Sequence, residues 1–343
     1  GWKFVPADEL KRESFEEPLL TRNLIEALKK INSDLGIGDE EIKAVFNELK
    51  LKASGIETSK QILNYFKYGI PVKFEKERVV KYVQLFDYTN VKNNEFIVSR
   101  QVIFQSADNE IRADVILFIN GIPLVIIECK NPADFSVNWF DAYRQIKSYE
   151  NKIPELFKYA QIGAVAEQIA RYFTIVPWQD EVKTHEWKEQ SKDPIDSIIS
   201  MLSCEAMLDI IKNYLFIRIE FGNQTKVITR YMQYRATNKV VNRIIDNITG
   251  KEEKNKGLIW HWQGSGKTLE MIFAANKLYN SKLLENPTIF FIVDRTDLQE
   301  QLSDEFNALD ISKPEVITSI HELKKILKHD DYKGKRGIFI TLI

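Results

Sequence analysis

The sequence predicts an α/β protein of two domains, the first organised around a central mixed sheet and the second opening a parallel α/β unit. Three observations lead to that class. Two apolar, β-branched runs, Ile111 to Ile119 and Ile122 to Ile127, flank Asn120-Gly121, the strongest short-range hairpin signal a sequence carries. Amphipathic helical periodicity lies before and after this hairpin. Farther on, Leu258 to Thr268 reads as a strand, a glycine-bearing loop and a helix start. A length of 343 residues is enough for two cores. The boundary is expected near residue 215, with one domain over 1–215 and the next over 216–343.

Composition narrows the class further. Hydrophobic residues make up 44% and charged residues 28%, ordinary for a globular protein. Lys plus Arg (48) nearly balances Asp plus Glu (49), so any nucleic-acid contact must come from a local patch. Two cysteines, Cys129 and Cys204, are too few and too far apart for a disulfide framework, which points to a reducing, cytoplasmic setting. No apolar run approaches the roughly 20 residues of a membrane span.

In chain order, Ser14-Phe-Glu-Glu17 fits a capping box, with Pro18 in the first turn and Leu20, Leu24, Ile25, Leu28 and Ile31 at helical spacing. A second helix is expected from Asp39 to about Leu51 and a third from Thr58 to Tyr68, stopped by Gly69 and Pro71. The period then changes to strands: Val79 to Tyr88, Phe96 to Gln105 and the two runs of the hairpin, together a four-stranded meander. Asn131-Pro132 ends the last of these, and a helix follows from about Val137 to Asn151. Short strands are expected near Tyr159 to Ala166 and Arg171 to Val176. A loop should cover Gln179 to Pro194 and a helix Ser200 to Leu215.

The hairpin carries chemistry. Asp114 lies on the first run, while Glu128 and Lys130 end the second and, being two apart, project from one face. Two carboxylates and an ammonium on a sheet face suit Mg²⁺-assisted phosphodiester cleavage, with Asp114 and Glu128 holding the metal and Lys130 orienting water or stabilising charge on phosphorus. The competing reading is a hairpin whose polar ends meet solvent. Register decides between them. Across a simple two-residue turn Asp114 would sit opposite Ile127, and the carboxylates would point to opposite sides of the sheet. A shared face demands a bulge or a three-residue loop, for instance a type I turn with a bulge over Ile119-Asn120-Gly121.

The second centre is His261-Trp-Gln-Gly-Ser-Gly-Lys-Thr268. Gly264, Ser265 and Gly266 can wrap phosphates with backbone N–H groups, Lys267 can reach the β- and γ-phosphates of ATP, and Thr268 can ligate Mg²⁺. The strict phosphate-loop pattern wants glycine where this chain has His261. An amphipathic helix bearing Leu269, Ile272, Phe273 and Leu278 should follow, and then a strand from Thr288 to Asp294.

Asp114…Glu128-Cys129-Lys130 resembles the PD-(D/E)xK nuclease motif, with Ala113 where its name has proline. The wider F-I-N-G-I-P-L-V-I-I-E-C-K-N-P, followed by R-Y-x-Q-Y, H-x-Q-G-S-G-K-T and V-D-R-x-D-L-x-x-Q, resembles the R (motor and restriction) subunit of type I restriction enzymes. The resemblance implies a PD-(D/E)xK endonuclease domain followed by part of a RecA-like ATPase and translocase. It gives Gln145 and Tyr149, one helical turn apart, the place of a Q-x-x-x-Y motif that supports the nuclease site or touches DNA. It also implies that Gln233 reads adenine and that Arg295 contacts the DNA backbone. A further acid from the first helix, among Glu13, Glu16 and Glu17, joins the site in some such nucleases, although solvated acids explain these three as well. Implied cofactors are Mg²⁺ and ATP. Implied partners are double-stranded DNA and the methyltransferase and specificity subunits. The chain stops at Ile340-Thr-Leu-Ile343 without a D-E-x-H motif, which suggests the N-terminal piece of a longer subunit, lacking ATP turnover by itself. The rival expectations are another nuclease–helicase fusion, or a DNA- or partner-binding module whose nuclease site has decayed.

Overall fold

A computed structural model describes residues 1–343 apart from 51–54, 76, 191, 221, 286, 310, 312 and 343. The chain divides into two compact units, Gly1–Leu215 and Phe216–Ile343. The first is a mixed α/β unit with strands β1 (Lys3–Phe4), β2 (Ile70–Phe74), β3 (Val79–Val83), β4 (Phe96–Gln105), β5 (Glu110–Ile119), β6 (Ile122–Cys129), β7 (Ile162–Ala166) and β8 (Ala170–Thr174). Its helices are α1 (Thr21–Ile31), α2 (Asp39–Lys50), α3 (Ile56–Tyr68), α4 (Trp139–Lys152), α5 (Pro154–Phe157), α6 (Pro194–Met201) and α7 (Cys204–Asn213). Six strands form the central sheet in the order β1-β4-β5-β6-β7-β8. The pairs β1/β4 and β6/β7 are parallel and the others antiparallel. The parallel β6/β7 step needs a crossover, and α4 provides it. Ala142, Tyr143, Ile146 and Tyr149 of α4 pack on Ile116, Phe118, Ile126, Val165 and Phe173 to make the main core.

Several expectations need correcting. Val79–Val83 does not join the central sheet, because the nearer Ile70–Phe74 takes it as an antiparallel ribbon. Pro71, expected only to stop a helix, sits in that ribbon, where a proline without an N–H is tolerated. Past Val83 the Asp87 carboxylate accepts from the N–H groups of Thr89 and Asn90 and turns the chain out of strand geometry. Ser14 does not cap α1. Its hydroxyl closes a local turn on Glu16 N–H, and Leu20 N–H instead donates to Gly121 C=O at 2.8 Å, so the helix starts at Thr21. The single helix expected over Ser200–Leu215 is two, broken at Leu202-Ser203. Leu51, the expected end of the second helix, lies outside the described residues.

The hairpin turn is the two-residue kind. Ile119 pairs with Ile122, and Asn120 (φ 52°) and Gly121 (φ 80°) are both left-handed, as a type I′ turn requires. The three-residue loop is therefore excluded. The irregularity comes deeper in the hairpin: Phe118 pairs with Pro123 but Leu117 with Val125, leaving Leu124 as an extra residue on β6. A bulge shifts every later pair by one residue. Leu124 C=O, set aside by the shift, accepts from Gln161 N–H at 2.9 Å. Nor does the turn face solvent. Asn120 is fully buried, donating to Leu85 C=O and Asn94 Oδ1 and accepting from Glu95 N–H.

The second unit holds the ribbon β9 (Leu215–Glu220) with β10 (Asn223–Ile228) and a parallel sheet in the order β11 (Thr288–Val293), β13 (Gly337–Leu342), β12 (Glu315–Ile317). Its helices are α8 (Tyr231–Ile248), α9 (Lys267–Tyr279), α10 (Thr296–Ala308) and α11 (Ile320–Tyr332). The strand expected at Leu258 is not formed. A strand exists by pairing, and among the described residues none pairs with 254–262, where Leu258, Trp260 and Trp262 are exposed. No helix among the described residues is long and apolar enough to cross a membrane.

At the hairpin tip a Cβ on Gly121 would lie 2.5 Å from Leu20 C=O. Gly121→Ala should therefore cost about 2 kcal/mol or more, combining the left-handed penalty with a backbone clash. Urea denaturation of the two chains measures this directly, and an unchanged midpoint would contradict the packing described.

Candidate active site

The extra Leu124 places Asp114 across from Glu128. With Val115 facing Ile127, the next pair toward the open end of the hairpin is these two carboxylates. They are cross-linked through the backbone: Asp114 N–H donates to Glu128 Oε1 at 3.1 Å, and Cys129 N–H donates to Asp114 Oδ2 at 2.9 Å. Gln101 Nε2 on β4 donates to Asp114 Oδ1 at 2.9 Å. Glu128 is fully buried, and its Oε2 has no hydrogen-bond partner. Burial, then the neighbouring Asp114 charge, raises the Glu128 carboxyl to a pKa of about 8. A buried orphan carboxylate oxygen is costly unless something occupies it.

Lys130 follows at the end of β6, its N–H held by Ala166 C=O at 2.9 Å. Its ammonium donates to Gln145 Oε1 on α4, Gln145 Nε2 donates to the Tyr149 hydroxyl, and Tyr149 Oη donates to Arg112 C=O at 3.3 Å. The order of donors fixes the glutamine. Because the tyrosine gives its proton to a carbonyl, it can only accept from the Gln145 NH₂, which turns the amide oxygen to Lys130. An Asn138/Asp141 capping box sets the start of α4 and so the height of this relay. Asp114 and Glu128 thus form one hydrogen-bonded group and Lys130, Gln145 and Tyr149 a second, near enough for their charges to act on one another.

A divalent cation fits this donor set. Mg²⁺ is commonly held by one or two carboxylates with waters and substrate phosphate completing its shell. Among the described residues no group of three or more His, Cys, Asp or Glu side chains gathers, so Asp114 and Glu128 are the protein's ligands on offer. The first-helix acids do not add to them: all three precede α1, Glu17 is tied to Lys50 and Leu19 N–H, and Glu13 and Glu16 are exposed.

In the second unit Gly264 (φ 79°) and Gly266 (φ 90°) are left-handed, and α9 begins at Lys267. Ser265 is buried with its hydroxyl unpartnered, and Lys267 Nζ rests on His261 C=O at 3.0 Å. Gln233 is buried, not on a helix surface: its Oε1 accepts from Arg230 N–H at 2.9 Å and its Nε2 donates to Gly266 C=O at 3.3 Å. A Cβ on Gly266 would lie 2.2 Å from that amide nitrogen, so glycine is required for the approach. His261 pairs through Nδ1 with Glu270 Oε1 at 2.7 Å, a contact that sequence reading missed although a histidine in a glycine position signalled it. Burial raises the Glu270 carboxyl. Arg295 is exposed and pairs with the neighbouring Asp294 at 3.7 Å.

Comparison with known proteins agrees with both halves. Residues 1–182 match the type I restriction enzyme R protein N terminus, and residues 232–343 match the SWI2/SNF2 ATPase. A Methanocaldococcus jannaschii protein assigned as the MjaVIIIP endonuclease subunit of a type I restriction enzyme is 36% identical over all of this chain and 35% of its own length. The HindI type I restriction enzyme endonuclease subunit of Haemophilus influenzae is 29% identical over all of this chain and 34% of its own. The SsaAORF53P type I endonuclease subunit of Staphylococcus saprophyticus is 26% identical over 97% of this chain and 38% of its own. The chain spans about a third of the length of these curated relatives. With more than half of its residues inside the profile, the chain belongs to the type I restriction enzyme R protein family.

Proposed function

We propose that the first unit is a PD-(D/E)xK endonuclease domain that cuts double-stranded DNA. The second unit is, on the same reading, the first part of a RecA-like, ATP-driven translocase. In the whole protein, ATP hydrolysis moves DNA while methyltransferase and specificity subunits supply modification and sequence recognition. The observation that carries the nuclease reading is the orphaned Glu128 Oε2, buried beside Asp114 and reached by the same sheet face. Asp114 and Glu128 would hold Mg²⁺, which supplies Lewis-acid charge at the phosphate oxygens and lowers the pKa of a bound water. Lys130, held by Gln145 and through it by Tyr149, donates to a phosphate oxygen or to the attacking water. Having its donor direction set in advance, it costs little reorganisation when charge develops on phosphorus.

For ATP, Gly264 to Gly266 give backbone N–H donors, Lys267 moves from His261 C=O to the phosphates, and Thr268 stands at the metal position. Gln233, whose amide already tethers Gly266, would couple adenine recognition to the shape of the loop. Arg295, exposed after β11, is the DNA backbone contact.

Lys130→Ala in the full-length subunit should lower DNA cleavage at least about 100-fold, while ATP hydrolysis and translocation stay near wild type. Lys267→Ala should abolish ATP-driven movement and leave the nuclease fold intact. Loss of both activities in a well-folded Lys130→Ala protein would contradict two separate centres.

The Glu128 carboxyl gives a pH signature. Its native pKa of about 8 lies above the ordinary 4.5, so the native state holds the proton more tightly than the unfolded chain. The resulting stabilisation is complete below about pH 4.5 and is lost as pH rises through about 8. Melting temperature of the metal-free chain should therefore fall over that window, and Mg²⁺, which competes with the proton, should bind more tightly at its upper end. Glu128→Gln should flatten both profiles. Identical profiles for the two chains would refute the assignment.

A further inference from the structure

Gln101 is a left-handed residue (φ 53°) in the middle of the ten-residue strand β4. The other non-glycine residues with positive φ lie in turns, in a loop or at the kinked end of α11. The ladder is regular on either side, with Arg100 facing Val115 and Val102 facing Ala113, so no residue has been inserted. The residue across from Gln101 is Asp114. A left-handed conformation costs a glutamine about 1–2 kcal/mol, and such strain persists where the surroundings impose it.

Along both strands the buried positions change parity near the kink. Inward residues of β5 are Ile111 and Ala113 before it and Ile116 and Phe118 after it. On β4 they are Ile97 on one side and Val102 and Phe104 on the other. In an unbroken strand, residues two apart share a face. Asp114 follows Ile116 and Phe118 by that alternation, and Glu128 follows Ile126 across the ladder, which keeps the two carboxylates together. At the kink the Asp114 carboxylate is only half-buried, with Gln101 Nε2 on Oδ1 and Cys129 N–H on Oδ2. Gln101 is itself exposed, so core packing does not require it, and a plain strand would favour a β-branched residue there.

We propose that Gln101 is a positioning residue for Asp114: its left-handed backbone, directly across the ladder, brings its amide to Asp114, and that amide holds the carboxylate in the orientation that a divalent cation needs. The proposal rests on the reading of Asp114 and Glu128 as the metal-holding pair. Partners that orient a metal-binding carboxylate are typically worth tenfold or more in metal affinity.

The test is calorimetric titration of the 343-residue chain with Mn²⁺, alongside thermal melting, for wild type, Gln101→Gly, Gln101→Asn and Asp114→Asn. Glycine keeps the left-handed backbone and removes only the amide, so Gln101→Gly should melt at or above the wild-type temperature yet bind Mn²⁺ about tenfold more weakly. Asparagine tolerates the same conformation and retains a shorter amide, and should recover part of that loss. Asp114→Asn should lose the site. Wild-type affinity in Gln101→Gly, with binding lost in Asp114→Asn, overturns the inference and spares the carboxylate pair. An affinity that falls only together with melting temperature, without rescue by Gln101→Asn, marks the kink as structural and also overturns it. Undiminished binding by Asp114→Asn removes the carboxylate pair, and the inference with it.

Discussion

One extra residue on one strand governs the candidate nuclease site. Side chains alternate along a strand, so a hairpin closed by a two-residue turn would send Asp114 and Glu128 to opposite sides of the sheet. Leu124 shifts the ladder by one, and the two carboxylates meet. Everything else at the site presupposes this: the cross-linking by Asp114 N–H and Cys129 N–H, the buried orphan oxygen of Glu128, and the position of Lys130 over α4. The turn that sets the register is held as firmly as a core residue, because Asn120 is buried with its amide engaged on three sides.

Much of this was legible in the residues. Asn120-Gly121 marked the turn, the apolar runs marked the strands, and parity alone required an irregularity between the turn and Asp114. Its location was misplaced: the turn residues Ile119-Asn120-Gly121 were expected to carry it, whereas the extra residue is Leu124, next to Pro123, which cannot donate to a ladder. Gln145 and Tyr149 could be placed on one helix face, but their link to Lys130 depends on how α4 crosses the sheet. Gln101 carries no local signal at all, since nothing in a β-rich stretch forecasts a left-handed glutamine. The strand forecast at Leu258 failed for a related reason: composition favours a strand, but only a partner makes one.

The two centres share a physical style. In each, a backbone conformation open chiefly to glycine or tolerated under strain brings two polar groups together: Gln101 and Asp114, and Gly266 and Gln233. In each, a lysine is parked on an oxygen of the protein, Lys130 on Gln145 and Lys267 on His261 C=O. Membership of the type I restriction enzyme R protein family, with an ATPase match downstream, is consistent with a nuclease and a motor encoded side by side.

Direct observation of the cation bears most closely on the carboxylate pair. Crystals of the chain soaked in Mn²⁺ and measured at the manganese edge should give an anomalous peak at ligand distance from both the Asp114 carboxylate and Glu128 Oε2, with Lys130 still on Gln145. A manganese-bearing crystal with no peak at that pair, or with Glu128 Oε2 still unoccupied, would contradict the site.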